Sequence, residues 1–134
     1  MRLLIALFIL VTSASVASSD EVWETPDGQV VYLSETKGVA VWEIDQLEGP
    51  RRIYIRELAG NYDNRSIHEG FWIQTIGEGC GATMTGPDGF SGTTWGRVTV
   101  IFHSNGFPTN WTLLSGTCFG EADTPLQGQS PLLQ

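Results

Sequence analysis

The sequence predicts an all-β domain: a small antiparallel meander, closed as a barrel or folded as a sandwich, with one disulfide. Three observations carry this expectation. No stretch of about ten or more residues repeats its apolar positions at the 3.6-residue period of a helix. Strand-like runs recur about every 8 to 14 residues, with turn signals between them. The 16 glycines fall mostly in those gaps.

The chain opens on a leader. Arg2 gives a positive start, Leu3 to Val11 is apolar without interruption, and Ser15-Val16-Ala17 supplies the small residues of a cleavage site, which together read as a secretory signal over residues 1–17. The apolar run is about half of what a bilayer span requires, so no membrane span is expected in the mature chain. A single β domain is assigned to 18–120. From Glu121 to Gln134 the chain is rich in Gln, Pro and Gly without periodicity, and a disordered tail is expected over 121–134.

Within the domain, Asp20 to Thr25 is a short entry segment containing Trp23, and Pro26-Asp27-Gly28 marks a turn. Gln29 to Glu35 reads as a strand, Thr36-Lys37-Gly38 as a hairpin turn. Val39 to Asp45 alternates cleanly, Ala40, Trp42 and Ile44 against Val41, Glu43 and Asp45. After Gly49-Pro50 the run from Arg51 places Ile53 and Ile55 on one face and Arg52, Tyr54 and Arg56 on the other. Asn61 to Gly70 is the most polar loop. Phe71 to Ile76 and Cys80 to Thr85 are short strand candidates.

Thr93 to Phe119 is the best-defined unit, a hairpin. Gly96, Val98, Val100 and Phe102 alternate with Trp95, Arg97, Thr99 and Ile101. His103 to Asn110 is a loop, and a second strand is expected from Trp111 to Phe119.

Cys80 and Cys118 are the only cysteines. In an exported chain two cysteines most often pair. The bridge would close about 39 residues and contribute roughly 4 kcal/mol. Seven basic residues, one of them in the leader, face fifteen acidic ones, a formal net charge of −8. Such a chain lacks the cations that neutralise nucleic-acid phosphates. Its charge suits a basic partner, or plain solubility.

Candidate chemistry is sparse. His68 lies beside Glu69 and His103 follows the central strand. Together with a carboxylate they are the only material for a small hydrolase, and two unconnected histidines are the commoner arrangement. Gly89-Phe90-Ser91-Gly92 lacks the spacing of a nucleophile elbow. Glu43 and Asp45 share a strand face, but fifteen acids make such pairs inevitable. Gly77, Gly79 and Gly81 have no following helix or basic residue to make a phosphate loop. No ligand spacing for a metal is present, and no cofactor is expected. Asn64 and Asn110 head N-x-S/T sequons.

The five tryptophans, Trp23, Trp42, Trp72, Trp95 and Trp111, are the strongest compositional feature. Exposed indoles anchor interfaces and stack on sugars. The expected binding surface is one end of the sheet: Trp95, Asn105, Phe107 and Trp111, with Tyr62, Asp63, Arg65 and His68 from the polar loop.

The run VVYLSETKGVAVWEI, followed by a basic strand and a polar loop ahead of Phe71-Trp72, resembles the small periplasmic β-barrel inhibitors of c-type lysozyme. The resemblance implies a basic protein partner. Asn61 to Ser66 stands where that family has a Ser-Gly-containing inhibitory loop, and the cysteines are placed differently, so no site residue is carried over.

The sequence therefore points to a secreted or periplasmic domain that binds an exported protein or a glycan without catalysis. The alternatives are an envelope-associated structural protein and a hydrolase built on the two histidines.

Overall fold

Strand after strand pairs with the next in sequence until the last comes back beside the first. A computed structural model describes residues 21–46, 48–60 and 63–134; the expected leader, 1–17, and Tyr62 lie outside them. The strands are β1 (Val22–Thr25), β2 (Gly28–Thr36), β3 (Val39–Gln46), β4 (Gly49–Arg56), β5 (Ile67–Gln74), β6 (Met84–Thr85), β7 (Ser91–Gly92), β8 (Thr94–Phe102), β9 (Trp111–Ser115) and β10 (Thr124–Gly128). Eight form one antiparallel sheet in the order β1-β2-β3-β4-β5-β8-β9-β10, while β6 and β7 pair only with each other. Glu24 and Gln129 exchange two backbone hydrogen bonds of 2.9 Å, which brings the two edges together. The sheet is nearly closed as a barrel, which decides between the two forms that the sequence left open.

An up-and-down order puts alternate connections at the same end. The lower end carries Glu21, the turn at Lys37-Gly38, the β4–β5 connection and the loop 103–110. The upper end carries the β1–β2 and β3–β4 turns, the segment 75–93 and the loop 116–123.

The alternation read from sequence sets the two faces. Ala40, Trp42 and Ile44, Ile53 and Ile55, and Val98, Val100 and Phe102 all face the interior. Trp23, Trp42 and Trp111 meet at its centre, with ring centroids 4.6 Å apart for Trp23–Trp42, 5.3 Å for Trp42–Trp111 and 5.8 Å for Trp23–Trp111. A second apolar cluster lies outside the barrel: Val41, Tyr54, Ile73 and Trp95, packed against Phe71, Met84, Phe90 and the cystine. The segment 75–93, with its β6–β7 hairpin, folds down over the sheet to cover these side chains.

Three expectations need correction. Residues 121–134 are not a disordered tail. Thr124–Gly128 pairs along β9, and Pro131–Leu133 forms a 3₁₀ turn capped by Ser130. The signal was weak because only Leu126 and Gly128 face inward, and Pro125 reads as a breaker. Proline is tolerated on a strand whose far side is scarcely paired. Second, the run from Trp111 ends at Ser115, where a loop begins. Third, the polar loop stops at Ser66, so His68 and Glu69 belong to β5.

Gly128 shows how tightly the last strand fits. A Cβ there would lie 2.2 Å from Cε2 of Trp111. Gly128→Ala therefore forces the indole out of place and should cost about 1–3 kcal/mol, as overpacked cores do. Equilibrium denaturation followed by tryptophan emission will measure the loss.

Candidate functional site

The lower end holds most of the residues expected to bind, and it is a packed plug. Arg65 is 1 % exposed and makes a two-pronged ion pair with Glu21 at 2.5 and 2.8 Å. Its guanidinium also reaches the Thr109 hydroxyl and lies over the rings of Phe102 and Phe107. The Arg65 amide donates to the carbonyl of Asn105, and the Trp23 indole to that of Thr109. The structure thus gathers Arg65, Asn105 and Phe107, but to lock the chain entry onto the loop 103–110. Phe107 remains half exposed, and Asp63 and Asn105 are exposed. Trp111 is corrected from surface to core, with no exposed area.

The histidines do not meet in a cleft. His68 points inward, its Nδ1 donating to the carbonyl of Arg56 and its ring edge-on to Phe102. His103 bonds the Thr112 hydroxyl on the outer face. They serve opposite faces of the sheet, so the hydrolase arrangement has no geometric basis. Among the described residues, no group of three or more His, Cys, Asp or Glu could hold a metal.

The upper mouth of the barrel has a pocket of about 100 Å³ lined by Arg51, Trp72, Leu113 and Leu126. The Arg51 guanidinium stacks on Trp72 at 4.3 Å. Burial lowers its pKa, and the nearby Asp27 and Glu48 carboxylates oppose the change. The space admits only a few atoms.

A larger opening, about 760 Å³, lies outside the barrel. Its floor is the outer face of β5 and β8: Glu69, Phe71, Trp95, Arg97 and Thr99, with Arg56 from the end of β4. Met84 on the covering flap forms one wall, and Cys118, Phe119, Glu121 and Ala122 on the loop 116–123 form the other.

Register explains why these side chains converge. Phe71 stands opposite both Tyr54 and Arg97, and Ile73 opposite Trp95. Alternation then sends Arg56, Glu69, Phe71, Trp95, Arg97 and Thr99 to the same side.

Both walls are tied to Trp95, which is 5 % exposed. Its indole donates to the carbonyl of Ala82 on the flap, and its own carbonyl accepts from the Cys118 amide. The Cys80–Cys118 disulfide, as expected from sequence, then joins wall to wall. The 116–123 loop is also anchored inward, because the Trp72 indole donates to the Gly116 carbonyl at 2.8 Å. That bond needs Gly96: a Cβ there would lie 1.8 Å from the Gly116 oxygen.

A polar latch holds the flap down. Arg52 bridges Glu43 at 2.9 Å and Asp88 at 2.7 Å, and the Tyr54 hydroxyl donates to Asp88 at 2.8 Å. Burial alone would raise the Asp88 carboxyl, but bonds from Tyr54, the Phe90 amide and Arg52 outweigh it and hold it below the usual carboxylate range. Burial, then Asp88, pushes the Tyr54 hydroxyl above its ordinary value.

The groove differs from the latch in its arginines. Among the described residues, ion pairs are made only by Arg52 and Arg65. Arg56 and Arg97 are exposed and form no ion pair there. Phe119, at the lip, is 76 % exposed and sits edge-on to Trp95 at 5.0 Å. Of this site, only Trp95 was among the expected binding residues. Arg56 and Arg97 were legible as outward-facing, but nothing in one sequence joins β4, β8 and the loop 116–123 in one place.

Two outcomes are expected from this arrangement. Because the folded Asp88 pKa is depressed, its contribution is present above the unfolded value of about 3.8 and disappears as pH falls through the lower folded value. Asp88→Asn should cost about 1–2 kcal/mol near neutrality, and the wild-type advantage should shrink in denaturation series run below that unfolded value. Replacing both cysteines with serine should remove about 4 kcal/mol; amide spectra should then shift over 80–95 and 116–123 and stay unchanged in β1 and β2. Comparison with protein-family models, curated proteins and solved structures finds no match for this chain.

Proposed function

We propose that this is a non-enzymatic binding domain of an exported protein, taking its ligand in the outer groove between the flap and the loop 116–123. The observation that carries the reading is Phe119. It is a large aromatic side chain, 76 % exposed, held at the lip of a braced groove of drug-sized volume. Exposed aromatics beside arginines are the residues that dominate binding energy at protein interfaces.

The ligand is a segment of another exported protein, as in an inhibitor, and not a stacked sugar. A glycan platform would present indoles in a row. All five tryptophans are at most 5 % exposed, and the accessible apolar groups in the groove are Phe and Met. The disulfide suits an oxidising compartment, and no helix among the described residues is long and apolar enough to cross a membrane.

A self-associating structural role has one observation in its favour. Ile67, 65 % exposed, stands opposite half-buried Ile101 on the outer face. Two isoleucines are little against the roughly 800 Å² per partner of a stable interface.

Peptide-display selection against the oxidised mature protein will separate these surfaces. Selected peptides should lose about tenfold or more in affinity on Phe119→Ala and be unaffected by Phe107→Ala. Peptides that respond to Phe107 and ignore Phe119 would return the site to the lower end of the barrel.

A further inference from the structure

The distribution of the cations, resting on the groove as the binding site, narrows the ligand further. The chain is strongly acidic, with fifteen carboxylate residues against seven basic ones. Among the described residues the basic side chains are Lys37 and five arginines. Arg52 and Arg65 are engaged in ion pairs, and Arg51 is stacked on Trp72 at the mouth. Of the remaining three, Lys37 sits in a turn at the lower end. Arg56 and Arg97 both line the groove, exposed and without an ion pair among the described residues.

This placement works against the general charge of the molecule. Carboxylates are abundant enough to pair with any surface arginine, and Glu69 and Glu121 line the same groove. Ion pairing within 4.0 Å is nevertheless absent there among the described residues. At physiological salt the net charge is screened beyond roughly 8 Å, so a ligand seated in the groove responds to its local groups. Guanidinium groups bind carboxylates through two parallel N–H···O bonds. Phe71 lies between the two arginine strands, opposite Arg97, with Met84, Trp95 and Phe119 beside it. The groove floor thus sets apolar Phe71 between two arginines, with the carboxylates Glu69 and Glu121 also in its lining.

We infer that the groove binds an acidic peptide segment in which carboxylate side chains flank an apolar one, the carboxylates on Arg56 and Arg97 and the apolar group against Phe71, Met84 and Phe119. A peptide is favoured over an acidic saccharide because the apolar contacts are phenyl and thioether groups set in a trough, without an exposed indole face to stack a sugar ring.

The probes are acetyl-Glu-Leu-Glu-Phe-amide, its Gln-for-Glu analogue and tetragalacturonate, titrated separately into the oxidised mature protein and followed by amide spectra. The acidic peptide should move the signals of Phe71, Arg97 and Phe119 and weaken as salt is raised. The Gln analogue should bind about tenfold or more weakly, the loss of roughly one charge-assisted contact. Arg56→Gln and Arg97→Gln should each weaken the acidic peptide by a similar factor and leave the Gln analogue unchanged. Equal affinity for the two peptides, with groove signals moving, would overturn the acidic specificity and leave the groove reading standing. Groove signals that respond to tetragalacturonate alone would replace the peptide with a saccharide. If no probe moves the groove signals, or the shifts fall at the lower end, the inference and the groove reading fall together.

Discussion

Three indole rings packed in one small barrel set the closure of the sheet and leave its interior full. Trp23, Trp42 and Trp111 come from β1, β3 and β9, and all have no exposed area. At about 200 Å² apiece and about 25 cal/mol per Å², each represents roughly 5 kcal/mol of transfer free energy before entropy is subtracted. Trp111 needs a residue without a side chain across from it, and the neighbour in register is Gly128. The last strand is short and polar, yet it is held because it completes the wall around an indole. The Arg65–Glu21 pair then seals the lower end, with both side chains at 6 % exposure or less. An ion pair so buried adds little net stability by itself, but removing either partner leaves a buried charge, so the chain entry is strongly specified.

A filled interior moves any binding site elsewhere. Many small barrels use the inside of the sheet for ligands; here the interior is occupied by side chains and the mouth is reduced to a few atoms beside Arg51. The protein instead builds a second layer on the outside of β4, β5 and β8. Tyr54, Ile73 and Trp95 face out from the sheet and would be a large exposed patch without the flap and the cystine that cover them. Covering is incomplete where the flap and the loop 116–123 fail to meet, and that gap is the groove. The disulfide therefore acts on the outer layer far more than on the barrel.

The strands and their faces were legible because alternation is local information. The run from Val39 to Asp45 places Trp42 and Ile44 inside whatever the rest of the chain does, and the same holds for Val98, Val100 and Phe102. The cystine was legible because only two cysteines exist. Trp95 and Trp111 mislead for different reasons. Arg97 and Thr99 suggest a wet face for Trp95, but burial on an outer face depends on what folds over it; Trp111 follows the polar residue Asn110, yet its strand position turns it into the barrel. The flap is distant in sequence from its latch residues: Asp88 bonds Tyr54 and Arg52. Arg65 misleads for the same reason, since its partner Glu21 lies 44 residues away. β10 escapes notice because a strand at the seam has one inward apolar side chain, too few to give a period.

The separation of two kinds of arginine comes from the same layering. Arg52 and Arg65 are satisfied by carboxylates that the fold itself delivers, and substituting them would disturb the latch or the plug. Arg56 and Arg97 face outward from strands whose positions are already set by inward neighbours, Ile55 on one side and Val98 on the other. Neither guanidinium takes part in an ion pair among the described residues. An acidic chain in which these two form no such pair has kept them apart from the framework. The lining of that groove can then be altered by substitution without reaching the indoles that hold the barrel closed.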